Sequence, residues 1–112
     1  MSSELPHVVA RSADTAELHA PVPTLLLELQ TLLGALAATV AAETNRGRQP
    51  FRPSDEWPHR LGDLAYGVYL LADQTGVDVA QAVRSTATRI ANAPRPATRN
   101  GTDHPTDFFN RA

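Results

Sequence analysis

Residues 61–83, LGDLAYGVYLLADQTGVDVAQAV, decide the fold, because their pattern indicates two helices joined by a tight corner. Gly76 is placed to end the first helix in a left-handed conformation, which costs glycine little. Asp78 is placed to cap the second helix, and Gln81 three residues later completes a capping-box pattern. The apolar residues of the first helix recur at the spacing of one helix face: Leu61, Leu64, Ala65, Val68, Leu71 and Ala72.

A longer helix is predicted upstream, from Thr24 as its N-cap to about Glu43. A membrane span is one interpretation of this apolar run, but Glu28, Gln30 and Thr31 interrupt it. We favour a helix that is buried on most sides, and a chain of 112 residues can hardly cover it alone, so we expect self-association. Its main stripe is Leu25, Leu29, Leu32, Leu33, Leu36 and Val40.

The pattern predicts an all-α domain over residues 24–93, a bundle of three main helices completed by homo-oligomerisation. Its third helix runs from about Val79 to Ala93 and ends at Pro94. Residues 1–23 contain prolines and no sustained period, so we predict a flexible arm there. Residues 94–112 are predicted to be a mobile tail, in which Phe108 and Phe109 are candidates for docking on the body or on a partner.

Together these helices resemble the MazG-like all-α nucleotide pyrophosphohydrolase superfamily, most closely the small dCTP pyrophosphatases. The resemblance covers about residues 24–92, and it rests on the helix that starts at Asp63, on the corner around Asp78, and on the leucines and Gly34 upstream. It implies dimers or tetramers assembled through these helices, and magnesium-dependent conversion of a nucleoside triphosphate to a monophosphate and pyrophosphate.

The magnesium ligands of that family are mostly missing from this chain. The resemblance places the two acids of the first metal-binding helix on Leu32 and Ala35, and those of the second on Arg60 and Asp63, so one acid of four remains. Three further binding positions of the family have also lost their polar groups or changed them: Ala38, Thr86 and Ile90. The resemblance therefore implies a degenerate metal site, and we assign no catalytic residue and expect no cofactor.

A rebuilt magnesium site is the alternative, because magnesium needs clustered oxygen ligands and three acids are candidates for supplying them. These are Glu28, Glu56 and Asp63. For Asp63 the competing interpretation is a helix-dipole partner, or an ion pair with Arg60.

The loop over residues 44–57 is the candidate nucleotide-binding segment. Arginine can contact phosphate through two N–H groups, and an aromatic ring can stack on a base. A solvated loop with its two rings packed back onto the helices is the simpler interpretation. The residues concerned are Arg46, Arg48, Phe51, Arg52 and Trp57. The candidate oligomer interface is Leu25, Leu29, Leu32, Leu36, Tyr66 and Tyr69.

Composition narrows the location and the partners. The chain has no cysteine, which excludes disulfides and thiolate metal sites. Its formal net charge of −2 gives no attraction to nucleic acid, so no nucleic-acid partner is expected. The first residues carry acid and proline instead of a basic start and an apolar run, so we expect a cytoplasmic protein with no membrane partner.

Three functions are compatible with these features. The favoured one is a pseudoenzyme: a degenerate pyrophosphohydrolase-fold protein that acts as an oligomeric binding or regulatory module, with a nucleotide among its possible ligands. The second is a working magnesium-dependent pyrophosphohydrolase for NTPs or dNTPs with a rebuilt site. The third is an unrelated helical adaptor whose tails bind a protein partner.

Overall fold

The computed structural model describes residues 4–94, and this part of the chain is built from helices, with no strand in it. It divides into two compact units, residues 4–82 and residues 83–94. The all-α class predicted from the sequence is confirmed. The helices are α1 (Glu4–Ala16), α2 (Val22–Glu43), α3 (Glu56–Thr75) and α4 (Val79–Asn92).

The packing of α2 against α3 is set by a close approach at Gly67. A Cβ atom on Gly67 would lie 2.7 Å from Leu29 Cδ2 and 3.4 Å from Leu32 Cδ1. Leu25, earlier in α2, shares a buried cluster with Leu70, later in α3. Later positions of α3 therefore contact earlier positions of α2, so the two helices run antiparallel.

Residues 4–16 form a helix, which corrects the flexible arm predicted for residues 1–23. Val9 and Ala13 lie one turn apart on α1, and both are buried in the cluster that contains Leu25 and Leu70. Pro6 does not prevent this helix, because it lies in the first turn, where a backbone N–H has no intrahelical partner. Two buried residues are too few to give the sustained period on which the prediction depended.

Two contacts attach α1 to α3. The hydroxyl groups of Tyr66 and Ser12 are hydrogen-bonded at 2.6 Å. At the other end, the ring of His19 lies between two carboxylates: Nδ1 is 3.3 Å from Asp14 Oδ1, and Nε2 is 3.1 Å from Asp73 Oδ2. The segment between α1 and α2 is thereby fixed to the C-terminal part of α3.

Most helix ends agree with the predictions. Gly76 has a φ of 72° after α3, and the Gln81 N–H donates to the Asp78 carboxylate at 3.1 Å before α4. Thr24 is not the N-cap of α2, because the helix begins at Val22, directly after Pro21. Pro23 lies in the first turn of α2, where its fixed φ suits a helix and no N–H is needed, so α2 starts three residues earlier than a cap at Thr24 predicts.

Two large apolar side chains of α4 are largely exposed. Val83 is 61% exposed and Ile90 is 50% exposed. The predictions for residues 95–112, including the docking of Phe108 and Phe109, lie outside the described residues.

The docking of α1 can be tested with a pair of neighbouring valines. Val9→Asp should release α1, because it buries an unpaired carboxylate at a position that is 3% exposed. Val8→Asp is the matched control, since Val8 is 46% exposed. Trypsin should cleave after Arg11, within α1, much faster in Val9→Asp than in the wild type or in Val8→Asp. Equal cleavage of all three proteins would contradict the docked helix.

Candidate functional site

A groove of about 210 Å³ lies between α2 and α3. Its walls are mainly apolar, and they are formed by Leu18, Leu25, Leu29, Leu32 and Leu70 together with Tyr66 and Gly67. Two carboxylates also line it: Glu28 from α2 and Asp63 from α3. The fold thus brings together two of the three acids predicted as metal ligands.

Leu18 reaches this groove from the segment that joins α1 to α2. The backbone at Glu17 is left-handed, with a φ of 57°, and the Leu18 N–H donates to Ala13 O at 2.9 Å. This is the C-terminal motif with which helices commonly end, although glycine usually occupies the left-handed position. The reversal turns the chain back over α3 and supplies one wall of the groove.

The third candidate metal ligand, Glu56, belongs to a separate ion pair. Its Oε1 lies 3.6 Å from Nε of Arg60, one turn later on α3. Asp63 Oδ2 lies 3.6 Å from Nε2 of His59. The ion pair predicted between Asp63 and Arg60 is therefore replaced by two pairs, each spanning four residues on α3.

The described donors do not fit a bound magnesium ion. Within residues 4–94, no three side chains of His, Cys, Asp or Glu come together as a metal site. Magnesium demands near-octahedral oxygen coordination, so most of its ligands beside one or two carboxylates are waters and substrate phosphates, and the mainly apolar wall offers those little support. Leu32, which the resemblance would align with a metal ligand, contributes to that wall.

The two rings of the arginine-rich loop pair with each other. The centroids of Phe51 and Trp57 are 4.9 Å apart with an interplanar angle of 66°, an edge-to-face arrangement. The three predicted arginines, Arg46, Arg48 and Arg52, are exposed. None of these five residues lines the α2–α3 groove of the described chain, so the sequence-predicted metal and nucleotide sites do not merge there.

The start of this loop has a backbone feature that the residue types did not reveal. Asn45, Arg46 and Gly47 have φ values of 52°, 59° and 88°, a run of left-handed residues. Asparagine and glycine tolerate this conformation, whereas arginine pays roughly 1–2 kcal/mol for it. Buried Thr44 stabilises the turn, because its hydroxyl donates to Val40 O at 2.8 Å and accepts from the Gly47 N–H at 3.0 Å.

The residues predicted for the oligomer interface pack largely within one chain. Leu25 is 4% exposed, and the hydroxyl of Tyr66 is bonded to Ser12. The other four are half-buried: Leu29, Leu32, Leu36 and Tyr69. The opposite side of α2 is apolar and uncovered, with Leu27 64% and Leu33 54% exposed. Helical spacing adds small residues to this outer face of α2: Gly34, Ala37, Ala38 and Ala41.

Helix α2 is also long and apolar enough to cross a membrane, by length and composition alone. An 18-residue window within it has a mean hydropathy of 1.7. The core helix of a soluble protein and a signal sequence can have the same length and hydropathy. The outer face of α2 is therefore an exposed apolar surface that either a lipid bilayer or another protein surface would cover.

Comparison with known proteins found no relative. No family model matches the chain, and neither the curated proteins nor the solved structures contain a significant match.

The poor fit of the groove to magnesium gives a direct test. Magnesium chloride at millimolar concentration should change the melting temperature by less than about 1 °C beyond an ionic-strength control, because a site that barely binds adds almost no stability. A larger rise that disappears in Asp63→Asn but persists in Asp55→Asn would show a metal site at the groove. Asp55 is the matched control, since it directly precedes α3.

Proposed function

We propose that this protein is a non-hydrolytic binding or regulatory module on a MazG-like helical framework, and that it acts as a homo-oligomer. The observation that carries the proposal is the outer face of α2, which is apolar and which the other described residues, within 4–94, leave uncovered.

The free energy at stake is large for a domain of this size. Burying a leucine side chain stabilises a protein by roughly 1.5–3 kcal/mol relative to leaving it in water. Leu26, Leu27 and Leu33 are all about half exposed or more. A domain has a net stability of only about 5–15 kcal/mol, so covering these side chains is a substantial contribution.

The outer face of α2 is complementary to itself in an antiparallel arrangement. Its N-terminal half carries bulky Leu26 and Leu27, and its C-terminal half carries Ala37, Ala38 and Ala41. A two-fold axis near the middle of the helix places the leucines of one copy against the alanines of the other. Gly34 lies close to that axis, and a Cβ there would meet no atom within 4 Å in one chain.

The side chains that line the groove support the proposed lack of hydrolysis. Its two carboxylates, Glu28 and Asp63, face leucine side chains where the resembled family has further acids. Without metal bridging, the charge that develops on a reacting phosphate loses several kcal/mol of stabilisation. Binding without turnover is what such a groove supports best.

Self-association is tested by substituting an exposed leucine on each of two helices. Leu27→Gln, on the outer face of α2, should weaken the assembly by about tenfold or more, because it places a polar group in the buried contact. Leu5→Gln on α1 is the matched control, since Leu5 is 49% exposed. Sedimentation equilibrium measures both. A wild type that stays monomeric at micromolar concentration and binds vesicles instead would show that a lipid surface covers α2.

The antiparallel register has its own test, because the wild type has no cysteine. Gly34→Cys should form a disulfide-linked dimer on mild oxidation, since the two copies of residue 34 meet near the axis. Leu26→Cys should cross-link poorly with itself and well with Ala41→Cys in a mixture. Efficient self-cross-linking of both Leu26→Cys and Ala41→Cys would indicate a parallel pair instead.

The catalytic part of the proposal is tested by a pyrophosphate-release assay over the common NTPs and dNTPs with magnesium or manganese. We expect no turnover above the protein-free rate, because the ligand positions hold Leu32, Ala35 and Arg60. Turnover that is abolished in Asp63→Asn and Glu28→Gln, but not in Glu43→Gln, would establish an enzyme with a rebuilt site.

A further inference from the structure

We propose that the α2–α3 groove binds a small amphiphilic cation, an ammonium group attached to an aliphatic or aromatic body. The proposal concerns the groove and not the outer face of α2, so it goes beyond the proposed function and stands or falls separately from it.

The groove is apolar at one end and carries its two carboxylates at different levels along the rest of its length. Because α2 and α3 run antiparallel, Leu25 pairs with Leu70 at one level, and Leu29 and Leu32 lie against Gly67 at another. Asp63 lies one turn before Gly67 on α3, and Glu28 lies one turn before Leu32 on α2. Because the helices are antiparallel, these two steps run in opposite directions. Asp63 lies at the end of the groove away from Leu70, and Glu28 lies between that end and the level of Leu25 and Leu70.

The charge of the groove selects a cation. Of the residues that the structure places along it, two are acidic and none is basic. His59 Nε2 is 3.6 Å from Asp63, which is longer than an ordinary hydrogen bond. Within the described chain no ion pair or hydrogen bond joins Glu28 to another side chain. Both carboxylates are thus able to accept hydrogen bonds from an ammonium group.

The size of the groove selects a small molecule. Its volume of about 210 Å³ is below the roughly 300–1,000 Å³ of pockets for drug-sized ligands. A peptide helix, about 10 Å across, does not fit such a space. The apolar walls exclude a bare metal ion as the preferred ligand, because they leave most of its coordination sphere unfilled.

The first experiment uses the wild-type protein and a series of ligands. Butylammonium, hexylammonium and octylammonium are titrated by calorimetry, and hexanol and hexanoate are the neutral and anionic controls. Affinity should rise by about fourfold for each added methylene until the groove is full. Hexanol should bind about tenfold more weakly than hexylammonium, and hexanoate should not bind measurably.

The second experiment locates the site with variants that keep the shape of each side chain. Glu28→Gln and Asp63→Asn should each weaken hexylammonium by about tenfold, the usual loss for one charge-assisted hydrogen bond. Glu43→Gln is the matched control, because it lies on α2 outside the groove. Chemical-shift changes in an NMR titration should cluster on residues of the groove, Leu18 and Gly67 among them.

The outcomes separate this proposal from the oligomeric one. Sedimentation in the presence of hexylammonium shows whether the ligand changes the assembly. Binding with the expected chain-length and charge dependence, whatever the state of assembly, supports the groove. Equal affinity for hexylammonium and hexanol, or equal affinity of Glu28→Gln and Glu43→Gln, would overturn it, as would shift changes confined to the outer face of α2.

Discussion

The missing side chain at Gly67 is the constraint on which the packed unit depends. A Cβ atom there would lie 2.7 Å from Leu29, well inside van der Waals contact, so the spacing of α2 and α3 is set by hydrogen at this position. The same approach brings Leu32 against α3 and leaves the groove beside it. Because α1 docks on α3 through Tyr66, the position of the N-terminal helix follows from the same contact.

The two sides of helix α2 lie in different surroundings. Its inner side packs on α3 through Leu25 and Leu29, as core helices do. Its outer side carries leucines, alanines and a glycine that the described part of the chain leaves exposed. A helix that is apolar all round is stable only when something covers it on every side. The unit over residues 4–82 therefore buries the inner side of α2 and leaves its apolar outer side exposed.

The class of fold and most helix ends could be predicted from the sequence, because they depend on local chemistry. Gly76 and Asp78 determine their turn and cap with groups only a few residues away. The role of α1 could not be predicted, because it depends on Val9 and Ala13 meeting partners more than fifty positions later. Its hydrogen bond from Ser12 to Tyr66, for example, spans 54 positions. A pattern search within one window cannot register such partners.

The candidate site could be predicted only in part, because its residues come from helices that are distant in sequence. The sequence predicts Glu28 and Asp63 as candidate metal ligands on two different helices, and the structure places both at the groove. Glu56 was a candidate only because it is near Asp63 in sequence, and the helix turns it toward Arg60 instead. The leucines predicted for the interface lie on the most apolar face of α2, and a single chain packs this face against its own α3. The weaker stripe on the other side is the one left uncovered.

The attachment of α1 also sets an order of events during synthesis of the chain. Helix α1 leaves the ribosome before α3, and Tyr66 and Asp73, which hold it, are made 54 residues after Ser12 and His19. At a translation speed of about 5–20 residues per second, the buried face of α1 waits several seconds for its partner. During that time α1 itself exposes two future core residues, Val9 and Ala13. So sparse an apolar face adds little to the apolar surface that the growing chain exposes before α3 is complete.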